Sequence, residues 1–128
     1  MRNFWMAIAV TAVIANSACH ARDTALYPTQ DCNKANTQLD LNQCAQANFE
    51  SADRKLNEVY HAAMDAAGDD ASRSQLRASE RAWLSFRDQE CARQVGPREG
   101  GGSIWPMNLA SCLEDKTAQR IRELQKNL

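Results

Sequence analysis

Residues 41–67, LNQCAQANFESADRKLNEVYHAAMDAA, decide the fold of this chain. Their apolar positions Leu41, Ala45, Phe49, Ala52, Leu56, Val59, Ala63 and Ala67 fall at steps of three and four. That spacing traces one stripe of a 3.6-residue helix, with Glu50, Arg54, Lys55 and Glu58 on its other faces. Upstream, Thr37-x-x-Asp40 has the make-up of an N-terminal cap, and downstream Gly68-Asp69-Asp70 closes the helix and opens a turn. Beyond that turn, Ser72-x-x-Gln75 fits a capping box, and Leu76, Ser79, Trp83 and Phe86 mark a second stripe that ends before Gly96-Pro97. A third stripe runs through Leu109, Leu113, Thr117, Ile121, Leu124 and Leu128, with Asn108 as its cap just after Pro106. No window sustains β alternation. The expected fold is all-α: an up-down hairpin of two helices with a third laid across it.

The N-terminus reads as an address. Arg2 precedes an apolar run over 4–15 and the small, mixed exit Asn16-Ser17-Ala18-Cys19-His20-Ala21, the pattern of a secretory signal. A spanning helix would need roughly 20 apolar residues. Cleavage after Ala21 leaves four cysteines; cleavage before Cys19, with lipid placed on that thiol, also leaves four to pair. Ser17-Ala18-Cys19 resembles the end of a bacterial lipobox, although Asn16 stands where an aliphatic residue belongs. The expected organisation is a leader over 1–21, an extended segment over 22–36 and a helical domain over 37–128. Export puts Cys32, Cys44, Cys91 and Cys112 in an oxidising compartment, where four thiols in a small domain read as a disulfide framework. Of the three connectivities, Cys32–Cys44 with Cys91–Cys112 closes two short loops, the second stapling a Gly-rich connection. Cys44–Cys91 with Cys32–Cys112 would suit two antiparallel helices meeting at a tip near Gly68. Cysteine spacings of 12, 47 and 21 residues lack the close pairs of a zinc site, so no metal is expected.

Composition narrows the function. The full chain of 128 residues carries a formal charge of −1; without 1–21 it has 14 basic and 16 acidic side chains, net −2. Nucleic-acid binders usually show a basic excess, which is absent here. No G-x-S-x-G, H-E-x-x-H or phosphate-cradling loop occurs, Gly100-Gly101-Gly102 lacks the flanking strand and lysine of a P-loop, and His61 is the one histidine beyond the leader region. An enzyme and a bound cofactor are therefore not expected.

Three features stand above this background. In Arg81-Ala82-Trp83-Leu84-Ser85-Phe86-Arg87-Asp88, Trp83 and Arg87 share a helix face, and Asp53 or Asp88 can supply the acceptor that the guanidinium needs. A structural ion pair aligning the first two helices is the first reading, and an exposed recognition patch the second. Asp53-x-x-x-Asn57 reads as a helix-contact device. The stretch 96–107 combines three glycines with Ile104 and Trp105; Trp105 either folds back as a lid or projects as an anchor.

The ordered set Cys32, Cys44-Ala45, Asp53, Leu56-Asn57, Tyr60, Trp83, Arg87-Asp88, Cys91, Gly101-Gly102-Ser103, Cys112, Thr117, Arg120 and Leu124 resembles the lysozyme-inhibitor LprI-like N-terminal domain family. Glu80 departs from it, standing where the family often has glutamine. The resemblance implies an exported, disulfide-bonded, all-helical bacterial domain and, from the family's namesake, inhibition of lysozyme; it carries no catalytic residues. Such an inhibitor must fill a cleft with two carboxyl groups, one of them protonated. Arg98 and Ser103 are the expected groups for those carboxyls and Trp105 for a sugar subsite, while Glu99 would oppose them. The expected partner is thus a c-type lysozyme. The alternatives are an envelope module binding another protein or peptidoglycan without inhibiting, and a small-ligand carrier with its pocket between the helices.

Overall fold

A computed structural model describes residues 26–128; the leader over 1–21 and its thiol Cys19 lie outside them. Three long helices dominate: α1 (Gln38–Ala66), α2 (Asp70–Val95) and α4 (Trp105–Gln125), with one short helical turn, α3 (Arg98–Gly101), and 3-10 turns at Cys32–Lys34 and Gly102–Ile104. The described residues contain no strand.

The first cap is the expected capping box. Thr37 Oγ1 accepts from the Asp40 backbone N–H at 3.1 Å, and Asp40 Oδ2 accepts from the Thr37 N–H at 3.0 Å. The second is displaced: Asp69, not Ser72, caps α2, its carboxylate accepting from the Ser72 N–H at 2.8 Å and the Ser72 hydroxyl at 3.1 Å. The last helix also starts before Asn108. It begins at Trp105 with Pro106 in its first turn, where a missing N–H breaks no helical bond.

The third helix does not cross the hairpin. Ser103 sits beside Asn42 at one end, and Leu124 and Ile121 join Leu56 and Val59 towards the other, so α4 runs parallel to α1. Small buried residues (Ala45 and Ala52 on α1, Ala110, Thr117 and Ala118 on α4) let these two backbones approach closely. α2 returns antiparallel to α4 and meets it at Glu80–Arg120, Arg87–Thr117 and Cys91–Cys112. Between α1 and α2 there is no comparable backbone packing; long side chains bridge them.

The apolar core is small: Leu56, Val59, Ile121 and Leu124, covered by Leu26, Tyr27, Tyr60, Leu76 and Trp83. The stripes of α1 and α4 face inward as expected, except that Leu128 is exposed. The stripe of α2 is corrected. Leu76 and Trp83 do pack on the core, but Ser79 and Phe86 are exposed, and the buried positions are Glu80, Arg87 and Cys91. Both disulfides follow the short-loop connectivity, Cys32–Cys44 and Cys91–Cys112, each with Cα atoms 5.7 Å apart. With their sulfurs bonded to one another, the four cysteines are unavailable to zinc. The segment before α1 lies across the bundle. Leu26 and Tyr27 pack on the core, the Tyr27 hydroxyl donates to Glu114 Oε1 at 3.0 Å, and the buried Asn48 side chain holds Gln30 by both its N–H (2.7 Å) and its C=O (3.1 Å).

Candidate functional site

Two constellations stand out, one at the end of the bundle and one inside it. The end site is built by the connection from α2 to α4. Gly96 leaves α2 with φ +77°, a left-handed geometry that glycine adopts without strain. The chain then makes α3 and the Gly102–Ile104 turn before entering α4. Cys91–Cys112 ties the base, and the Asn42 side-chain amide donates to the Ser103 carbonyl at 2.9 Å, fastening the tip to α1. Trp105 does not project. Its indole N–H donates to the Gly96 carbonyl at 2.9 Å, and its ring packs so tightly on Gly101 that any Cβ there would overlap it. The Arg98 guanidinium lies 5.7 Å above that ring.

Arg98, Ser103 and Trp105 line one open groove of about 430 Å³. The far wall comes from α1: Gln38, Leu39 and Asn42, none of which the sequence reading assigned to the site. Leu39 and Ile104 are large apolar side chains left 64% and 44% exposed at this end. Glu99 lines the same groove.

The internal constellation is a ladder of charges and rings. Arg87, buried, donates from Nη1 to Asp53 Oδ1 and Thr117 Oγ1, both at 3.3 Å, and from Nε to Asp88 Oδ1 at 2.9 Å. Its guanidinium lies 5.4 Å from the ring centres of both Phe49 and Trp83. Arg120 stands 5.7 Å from Trp83 and bonds Glu80 at 2.9 Å, Glu123 at 3.2 Å and Ser79 at 3.3 Å. Asp53 of α1, Trp83, Arg87 and Asp88 of α2 and Thr117 of α4 thus form one device joining all three long helices, which goes beyond a pairing of the first two. Asn57 does not join it: its side chain is exposed and makes no hydrogen bond among the described residues, so it is no helix-contact device. Glu80 was the position missed. A charged residue where the resemblance has glutamine was the available signal, but its partner, 40 residues away, could not be read from spacing.

Among the described residues no three His, Cys, Asp or Glu side chains cluster as metal ligands, and no helix is long and apolar enough to cross a membrane. Residues 29–124 match the family described as Lysozyme inhibitor LprI. The chain belongs to this LprI family. A relative from Rhizobium meliloti (strain 1021), described only as an uncharacterized protein, is 38% identical over 120 residues, covering 84% of this chain and 86% of the relative. No solved structure matches. The LprI match begins on the segment that crosses the bundle and ends at Leu124, the last core residue of α4, so it takes in both constellations.

Proposed function

We propose that this protein is exported to the cell envelope and inhibits lysozyme by protein–protein binding, without chemistry of its own, through the end face formed by the braced 96–105 connection and the start of α1. Family membership supports the activity. Two disulfides in so small a domain support the oxidising compartment. The observation that carries the choice of face is the exposure of Leu39 and Ile104 beside Arg98 and Ser103 on a connection held at its base by Cys91–Cys112 and at its tip by Asn42. A face already rigid loses little ordering entropy on binding. Its chemistry also suits the target, whose cleft pairs an ionised carboxylate with a protonated one beneath apolar sugar subsites. Arg98 offers charged donors, Ser103 a hydroxyl that both donates and accepts, and Leu39 and Ile104 the apolar contact. Trp105 serves mainly as the brace beneath them.

The test is lysis of bacterial wall by c-type lysozyme in the presence of the oxidised protein. Inhibition at near-stoichiometric amounts is expected, and none at large excess removes the reading in favour of a different envelope partner. Ile104→Asp and Arg98→Ala, both at exposed positions, should each weaken inhibition roughly tenfold, as loss of a central interface residue typically does, with helicity unchanged. Undiminished inhibition by the double variant moves the contact to another face.

A further inference from the structure

The cleft between α1 and α2 is a different matter from the end face. Because the two backbones do not pack together, an open groove of about 360 Å³ remains between them. One wall presents Arg77 and Arg81 of α2, and the other Asn57 and Tyr60 of α1, with Leu56 and Leu84 between. Its charge is unbalanced. Of its three arginines Arg87 is buried and held by Asp53 and Asp88, and Glu80 is held by Arg120, so Arg77 and Arg81 are the charges left over. Arg77 and Arg81 are exposed and make no ion pair with an acid among the described residues, and the Asn57 and Tyr60 side chains likewise make no hydrogen bond to another helix among them.

We propose that this cleft is a second binding site, which takes an extended acidic peptide segment of the form Glu-x-Glu. The fit rests on matching repeats. Side chains four apart on a helix are offset by about 6 Å along its axis, and alternate side chains of an extended peptide by about 6.6 Å. Two same-side carboxylates can therefore meet the Arg77 and Arg81 forks together, each in the bidentate geometry that arginine favours. The intervening side chain faces the α1 wall, where the half-buried Tyr60 ring offers apolar contact. The Asn57 amide can bond a peptide group as donor and acceptor at once. A free phosphate would engage the arginines and leave the rest of the cleft unused.

The probe is acetyl-Gly-Glu-Leu-Glu-Gly-amide, titrated into the oxidised full chain by calorimetry and by NMR of the Asn57 side-chain amide. Expected are a shift of that amide, binding that weakens with added salt, and roughly tenfold weaker binding to an Arg77→Gln/Arg81→Gln variant, in line with loss of charge-assisted bidentate bonds. Both substitutions are at the surface, and the same variant should inhibit lysozyme as the unsubstituted chain does, which keeps this site separate from the end face. The proposal is overturned by an unshifted Asn57 amide, by equal binding of the peptide with Gln for Glu, or by full binding to the variant. It is equally overturned if inorganic phosphate or phosphatidylglycerol vesicles engage the cleft as tightly as the peptide.

Discussion

Among the described residues Glu80 and Arg120 form the ion pair most removed from water, their side chains 9% and 13% exposed. Taking one partner from such a pair leaves the other desolvated and uncompensated, so Glu80→Ala should cost about 3 kcal/mol, the low end of the usual range because Glu123 still reaches Arg120. Glu80→Gln keeps an oxygen for the Arg120 N–H and should cost less than half as much. Urea denaturation of the two variants measures the difference, and equal losses would mean that the charge, not the hydrogen bond, is what Arg120 requires. Arg87 and Asp53 give the contrast. Asp53 is 42% exposed, so their coupling in a double-mutant cycle should be about 1 kcal/mol, nearer the value for surface pairs. At the end face, Glu99 is the residue with the wrong sign for an acidic cleft. Glu99→Gln is expected to strengthen inhibition several-fold at low salt, with the gain fading as ionic strength rises; a gain unaffected by salt would deny the electrostatic cause.

At the scale of the helices, legibility followed polarity. α1 and α4 could be read because their inward positions are apolar and small, and the 3.6-residue period is visible wherever burial and hydrophobicity coincide. In α2 they part company. Its inward residues include Glu80, whose burial depends on Arg120 of α4, and Arg87, whose burial depends on Asp53 and Phe49 of α1 and Thr117 of α4, so the apolar period pointed to Phe86, which stands in solvent near Lys116. The same limit applied to the end site: Arg98, Ser103 and Trp105 could be picked from the connection itself, whereas Leu39 and Asn42 joined it only once α4 ran parallel to α1. The helix ends carry a pH dependence of definite sign. Hydrogen bonding to Thr37 holds the Asp40 carboxyl below its ordinary range, and the Ser72 N–H does the same for Asp69. Arg93 and then Gln94 bring Glu90 down to about 2. Carboxyls depressed in the folded state add stability above their unfolded pKa and lose it as the pH falls through the folded value. Thermal stability should therefore decline on acidification from about 4.5 towards about 2, and Glu90→Gln should flatten that decline while lowering stability at neutral pH. A melting temperature indifferent to pH across this window would contradict the cap and ion-pair geometry.

For the whole molecule, the limiting fact is the size of the core. Four large aliphatic side chains and a partial cover of aromatics cannot by themselves hold a domain of about a hundred residues securely, so cross-links carry a share of the stability. The two disulfides span sequence separations of 12 and 21, and because loop length enters only as a logarithm, removing either should cost about 3 kcal/mol through the unfolded chain. Their functional consequences should differ. Cys32–Cys44 ties the segment before α1 to that helix, whereas Cys91–Cys112 joins the two helices that deliver and receive the 96–105 connection. Without the second bridge the connection still has the Trp105–Gly96 and Asn42–Ser103 hydrogen bonds, but its base is free to open, and the ordering that it had in advance must be supplied on binding. A Cys91→Ala/Cys112→Ala variant, assayed below its melting temperature, should therefore lose most of its inhibition while retaining its helicity. The Cys32→Ala/Cys44→Ala variant, equally destabilised, should inhibit normally under the same conditions. Equal inhibition by both variants would place the lysozyme contact away from the 96–105 connection. Equal loss in both would mean that inhibition follows global stability and not the rigidity of that face.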